Sequence, residues 1–381
     1  MNGGGARIWV TAGLAALAAA CGGGESRIGA ILPLSGAGSI YGQMAKKGMD
    51  LAVDEINAQG GVRGRPLAIL YRDSRGLPSA GVEAATQLID GEGVSAIIGD
   101  LLSEVTLEVA PLAEKRQVVL LSPAASAPRL TQAGLYFFRN YPSDALEGAL
   151  LAQFASEKLR LLDLVVVAVA NAYGQGLKES FLRYYTGPNR EVHKVINFPE
   201  GSPDLASIAA QVEEVHPDGI YLIACAPDRQ RILQELRQRP GVTARILGTR
   251  DSRDIILAGA SLVEGMIFPL DEYDPESPDP AAQDFVSKYR QKYNDEVPGL
   301  WAAQAYDATR LLAMAMDQAG GTYGQDVQIK LSSIKGFRGA TGATDPDANG
   351  DVARYPKIFI VQNGAFVPYE QYEAAQSPAG T

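Results

Sequence analysis

From residue 27 onward, short apolar runs alternate with amphipathic ones, and this alternation most constrains the fold. "RIGAILPL" (27–34) is an apolar run ended by Pro33, Ser35 and Gly36. "YGQMAKKGMDLAVDEINAQGG" (41–61) places Ala45, Met49, Ala52, Val53 and Ile56 at helical spacing and stops at a Gly-Gly pair. "RPLAILYRD", "VSAIIGD" and "QVVLLS" read as further strands, with helices at "SAGVEAATQLID" and "EVTLEVAPLAEK" between them. Uninterrupted apolar strands separated by helices imply a mostly parallel sheet covered on both faces. The grammar restarts at "LLDLVVVAVANAYGQGLKESFLRYY" (161–185) and runs through "EVHKVINF", "PDLASIAAQVEEV", "DGIYLIACA", "DRQRILQELRQ" and "ARILGT". With 381 residues available, the expected fold is α/β: two doubly wound parallel-sheet lobes joined by a hinge of crossover segments.

After about Glu264 the pattern loosens. "DEYDPESPDP" (271–280) suits a crossover, and "AAQDFVSKYRQKYN" and "LWAAQAYDATRLLAMAMDQAG" read as amphipathic helices. "KIFIVQNGAFVPYE" (357–370) signals a hairpin turning at Asn363-Gly364. The division expected is residues 27–143 plus 272–350 for an N-terminal lobe, and 144–271 plus 351–376 for a C-terminal lobe.

In open parallel sheets, ligands bind beyond the carboxyl ends of strands, where helix N-termini present unpaired N–H groups. Two such junctions are rich in small polar residues. "AIIGD" runs into "LLSEVT", placing Ser103 at a helix start, and "VVLLS" runs into "PAASAP", placing Ala124 and Ser126 at another. Pro123 has no N–H to give a ladder, so the strand stops there. If the two strands are neighbours, amides and two hydroxyls converge on a spot suited to a carboxylate. Taken singly, Ser103 also suits an ordinary helix cap and Ser126 a turn; the pair carries the expectation. The tripeptide Tyr-Gly-Gln occurs at residues 41–43 and 173–175, each time opening the first helix of a lobe. Tyr41 and Tyr173 are therefore expected to face each other across a cleft.

A net charge of −10 speaks against nucleic-acid binding. Only two histidines and two cysteines occur, which weakens histidine catalysis and metal sites together. Arg7 followed by "IWVTAGLAALAAAC" reads as an export signal over residues 1–20, with Cys21 as a lipidation site and residues 21–26 as a tether. Leu17 lies four residues before Cys21, where lipoprotein signals usually place leucine three before, so plain secretion is the alternative. Cys225, in "GIYLIACAP", reads as a buried small hydrophobe.

"GAILPLSG…YGQ…AVDEINAQGGVRGRPLAILYRD", "IIGDLLSEVT" and "LLSPAASAPRLTQAG", together with "AYGQG", "PDGIYLIA" and "AAQAYDA", resemble the leucine/isoleucine/valine-binding proteins of ABC transporters. These are type I periplasmic binding proteins. The resemblance covers nearly all of the chain after the tether. It implies an exported, non-enzymatic carrier whose lobes close on an amino acid and deliver it to a membrane permease. It implies no cofactor, no metal, no nucleic acid, and contact with the membrane only through a lipid anchor. Carried over by position, Ser103 and Ser126 match hydroxyls that bind the ligand carboxylate, Ser126 standing where the family commonly has Thr. Ala124 matches a backbone contact, Tyr41 and Tyr173 match cleft aromatics, and Trp301 falls near an aromatic of the side-chain pocket, with core packing its alternative.

One departure matters. Aligned on Gly248, the family's ammonium-binding acid is here Arg250, with Asp251 next. Arginine has donors only and repels an ammonium. Either Asp251 takes the role after a one-residue shift, or Arg250 meets a second anionic group on a ligand without an amine, or Arg250 is a surface residue.

Enzyme motifs are missing: there is no G-x-S-x-G, P-loop, H-E-x-x-H or G-x-G-x-x-G. "DPDANGD" (345–351) has Asp345, Asp347 and Asn349 before Gly350, but a calcium loop would place Pro356 where a bidentate Glu belongs. An Asx turn is the simpler reading. A sensor or cell-envelope interaction protein on the same fold is the remaining rival.

Overall fold

The computed structural model describes residues 24–376 except 37, 202, 251–259, 271–272 and 321–322. Two sheets carry it. The first comprises β1 (Ser26–Leu32), β2 (Leu67–Asp73), β3 (Ala96–Gly99), β4 (Val119–Ser122) and β5 (Phe137–Arg139), all parallel, in the order β2-β1-β3-β4-β5. The second repeats that order as β7 (Glu191–Phe198), β6 (Asp163–Val169), β8 (Gly219–Ile223), β9 (Arg245–Leu247) and β10 (Ile267–Leu270). It is then extended by β13 (Lys357–Gln362) and β14 (Ala365–Pro368), both antiparallel to their neighbours. The turn between them has Asn363 at φ 52° and Gly364 at φ 72°, the backbone that an Asn-Gly hairpin requires.

The helices between strands are α1 (Ser39–Ala58), α2 (Pro78–Thr86), α3 (Ser103–Arg116), α4 (Asp144–Gln153), α5 (Ala172–Tyr184), α6 (Leu205–Val215) and α7 (Asp228–Arg237). In α1, Ala45, Met49 and Ala52 are fully buried, while Val53 and Ile56 are only partly covered. The long helix Leu300–Gln318 packs along α1 and joins the core of the first sheet through Ala305, Ala308, Leu311 and Leu312. Ile360 and Val361 of β13 instead enter the cores of the second sheet. Strands β5 and β10, and the hairpin of β11 (Phe337–Gly339) and β12 (Gly342–Thr344), are too short for sequence periodicity to expose.

The repeated Tyr-Gly-Gln has a steric cause. A Cβ on Gly42 would stand 2.1 Å from the Pro33 carbonyl oxygen, and one on Gly174 would stand 2.0 Å from that of Val169. In both lobes the first helix is pressed against the end of the first strand, and glycine is what allows it.

Asp100, at the end of β3, is fully buried, and desolvation pushes its carboxyl up to about 7 against the bonds donated by Leu102, Ser74 and Leu101. A folded-state value above the unfolded one near 4 means stability present below pH 4 is lost as pH rises through 7. Between pH 4 and pH 8 the parent should therefore lose about 4 kcal/mol relative to Asp100→Asn, at about 1.4 kcal/mol per unit. Urea unfolding at the two pH values measures this. A gap that does not change with pH rules Asp100 out as the titrating group.

Candidate functional site

The carboxyl ends of both sheets point at one cleft. It is lined from the first sheet by Tyr41 of α1, Leu101–Glu104 after β3, Ala124 and Ser126 after β4, and Tyr141 after β5. The second sheet contributes Asn171 and Tyr173 after β6, Glu200 after β7, Cys225 after β8 and Arg250 after β9. Asp144 and Trp301 complete it, and its empty volume, counted out to open solvent, is about 830 Å³. Ser103, Ala124, Ser126, Tyr41, Tyr173, Arg250 and Trp301, singled out from sequence, all lie on this one cavity. Asp251 and Cys21 lie outside the described residues.

The two serines differ in hydrogen-bond polarity. Ser103 opens α3 but makes no side-chain bond to its own helix. Its Oγ accepts from the backbone N–H of Ser126 (3.3 Å) and of Ala127 (3.2 Å), so its own proton remains to be given. Ser126 is the reverse: its Oγ donates to Asp144 Oδ2 at 2.8 Å, leaving lone pairs toward the cavity. Ser126 thus offers the cavity an acceptor, its single proton being directed to an acid eighteen positions along the chain.

The loop between β4 and Ser126 is fixed from behind. Ser122 Oγ donates to the Asp100 carbonyl (2.7 Å) and accepts from Ala125 N–H (2.9 Å). Arg139, fully buried, donates to the carbonyls of Ala127 (3.1 Å) and Ala125 (3.5 Å), and its Nε and Nη2 reach Asp351 at 2.7 and 3.0 Å. The small residues of Ser-Pro-Ala-Ala-Ser bring main chain to the cavity, and buried side chains hold it there.

Arg250 is 3% exposed, which removes the surface reading. Its backbone N–H and Nε bind the two oxygens of Glu147 at 3.1 and 2.5 Å. Its Nη2 reaches the Pro142 carbonyl (3.2 Å) and Asp144 Oδ1 (3.1 Å), and its guanidinium lies over the Tyr141 ring at 4.8 Å. Burial raises the Asp144 carboxyl, while Arg250 and the Ser126 hydroxyl oppose that shift. Tyr141 continues to Trp301 (centroids 5.3 Å apart) and Trp301 to Tyr41 (5.9 Å), so one wall of the cavity is Arg250, Tyr141, Trp301 and Tyr41 in succession.

Tyr141, Asp144 and Glu147 were missed from sequence. The nearest signal was two acids three residues apart, Asp144 and Glu147, in the otherwise apolar "DALEGALLAQ". Cys225 is half-buried on the cavity, not a buried hydrophobe of the core. His193 sits at the exposed edge against Asp163 (2.9 Å), and His216 ends α6 with φ 49°; neither is near the cleft. In "DPDANGD", Asp347 Oδ1 accepts from the N–H groups of Asn349 and Asp351, an Asx turn, and Asp345 accepts from Gly336 N–H. No group of three potential metal ligands occurs among the described residues.

Two like-ordered sheets, opening their strand ends onto a shared cavity with a polar grip and an aromatic wall, define a two-lobed solute-binding protein. Residues 25–363 match the model of the family described as periplasmic binding protein, and the chain belongs to that family. It is 26% identical over 332 residues to Leu/Ile/Val-binding protein homolog 3 of Brucella melitensis, covering 86% of this chain and 88% of the relative. The branched-chain amino acid transporter substrate-binding protein LivJ of Streptococcus pneumoniae, solved with isoleucine, is 28% identical with a TM-score of 0.80, covering 90% of this chain and 97% of that one. A solute-binding protein of R. palustris, solved with benzoate, shares the fold at 21% identity and a TM-score of 0.81, covering 90% and 95%. The protein is thus an extracytoplasmic solute-binding component of an ABC transporter, working with a small-molecule ligand and a permease, and not an enzyme. No helix among the described residues is long and apolar enough to cross a membrane.

Proposed function

We propose that the cleft carries an α-amino acid of the branched-chain type, gripped between the lobe of residues 27–143 plus 272–350 and the lobe of 144–271 plus 351–376. The opposed polarity of Ser103 and Ser126 supports this most. A zwitterion needs a donor at its carboxylate and an acceptor at its ammonium. Ser103 Oγ–H, its lone pairs taken by the N–H groups of Ser126 and Ala127, serves the carboxylate. The Ser126 lone pairs, backed by Asp144, serve the ammonium. Tyr41, Tyr141, Trp301 and Tyr173 then enclose the aliphatic side chain. Arg250 is spent on Glu147 and Asp144, so its charge is offset at the point where the ammonium arrives.

A second reading rests on that same Arg250: its guanidinium lines the cavity, which favours a carboxylate ligand without an amine. A thermal-shift comparison of L-leucine with 4-methylpentanoate, the same skeleton lacking the amine, separates the two. A ligand at a hundred times its dissociation constant adds about 2.7 kcal/mol, visible as a raised midpoint. Clearly greater stabilisation by L-leucine than by 4-methylpentanoate is expected; greater stabilisation by 4-methylpentanoate would replace the amino-acid reading with the second.

Export and anchoring follow from residues 1–21, with Cys21 as the lipidated first residue of the mature chain. Mass spectrometry of the N-terminal peptide should show a diacylglyceryl addition on Cys21; an unmodified cysteine would leave plain secretion.

A further inference from the structure

Two contacts join the lobes at the mouth of the cleft without lining up with the grip itself. Glu104, exposed on the first turn of α3, accepts through Oε1 from the backbone N–H of Ala172 at 3.1 Å. That N–H is one of the unpaired donors at the start of α5, where a carboxylate is favoured. One turn further, Gly176 of α5 lies so near the first lobe that a Cβ there would stand 2.5 Å from Pro128 Cδ. The receiving turn is itself held: Asn171 Oδ1 accepts from Gly174 N–H (2.9 Å), and Asn171 Nδ2 donates to Glu200 (2.7 Å).

We propose that Glu104 and the first turn of α5 form a latch that holds the lobes shut and sets how long a ligand stays. The placement couples it to occupancy. Ser103 and Tyr173 face the cavity, and the residues next to them in sequence, Glu104 and Ala172, make the bond between lobes. A ligand drawing Ser103 and Tyr173 together brings the latch within reach, and the second glycine of "AYGQG" gives the room for it. Glu104 is a positioning residue: it acts on the ligand through closure.

The inference rests on the solute-binding reading, and its test separates the two. Trp301 is the only tryptophan beyond the leader and lies on the cavity, so stopped-flow fluorescence follows L-leucine binding directly. Glu104→Ala should raise the dissociation rate roughly five- to tenfold, with little change in the association rate, since closure follows encounter. Glu104→Gln keeps the acceptor oxygen and should restore most of the dwell time, which a merely structural role would not require. Gly176→Leu, a wedge against Pro128, should shorten it further. Unchanged dissociation rates in both Glu104→Ala and Gly176→Leu would overturn the latch.

If the parent shows no response to L-leucine, the ligand assignment fails but the latch is still read. With Cys21→Ser, Cys225 is the only thiol, and its alkylation by iodoacetamide reports opening of the cleft in ligand-free protein. Faster alkylation in Glu104→Ala than in Glu104→Gln supports the latch. Equal rates in parent and both variants overturn it.

Discussion

The Ser103→Ala, Ser126→Ala double variant should bind L-leucine at least a hundredfold more weakly than the parent. On the proposed reading each hydroxyl meets one charged end of the zwitterion, and a hydrogen bond to a charged group contributes about 1.5–3 kcal/mol. Two such losses together amount to about 3–6 kcal/mol, and every 1.4 kcal/mol is about tenfold. The single variants should separate by ligand. Ser103→Ala should weaken L-leucine and 4-methylpentanoate alike, because both carry the carboxylate. Ser126→Ala should weaken L-leucine and spare 4-methylpentanoate, which has no ammonium to lose. Titration calorimetry with both compounds gives all four values. Ser103→Ala also strips the acceptor from the N–H groups of Ser126 and Ala127, so a lower unfolding midpoint without ligand is expected from it and not from Ser126→Ala. A double variant within tenfold of the parent would remove these serines from the binding site.

Arg250→Met should destabilise the protein by about 3–5 kcal/mol, the usual cost of removing one partner from a buried ion pair. It leaves Asp144 and Glu147, 1% and 0% exposed, without the cation that offsets them. The loss should shrink on acidification. Without the guanidinium the Asp144 carboxyl rises further, so the gap between variant and parent is smallest at low pH and widens as pH climbs through that raised value. Replacing both Arg250 and Glu147 by Met should recover only the part of the loss owed to Glu147, since Asp144 stays buried without the guanidinium. Urea unfolding of the single and double variants at pH 5 and pH 8 checks each part. A single variant costing under about 1 kcal/mol would mean that water reaches these acids.

How far the site was legible in the chain depended on the range of the interactions involved. Ser103, Ala124 and Ser126 were visible because small polar residues after apolar strands are a local pattern, and the strand order then placed them together. Tyr41 and Tyr173 were visible because a lobe repeats, and the repeat has one steric cause in both copies. The polarity of Ser126 was not visible. It is set by Asp144, whose position depends on β5, a strand of three residues with no readable period. Arg250 was noticed as a departure, but its meaning lay in Glu147, 103 residues earlier and brought near by the packing of α4 against β10. Cys225 was misread because it ends an apolar strand, and sequence does not say on which side of the strand end the cavity opens.

Arg139 does not line the cavity, yet the loop proposed to meet the ligand's head group is pinned through it to Asp351. On the proposed reading, that loop, the head-group reader, and the aromatic wall of Tyr141, Trp301 and Tyr41 are separable inheritances, while Arg250, through Asp144, belongs to both. A lineage can exchange its cargo by drifting along the wall, one side chain at a time, while the reader keeps recognising whatever bears a carboxylate. A change at Arg139 has no such gradation: it loosens the reader itself, and every cargo is lost together.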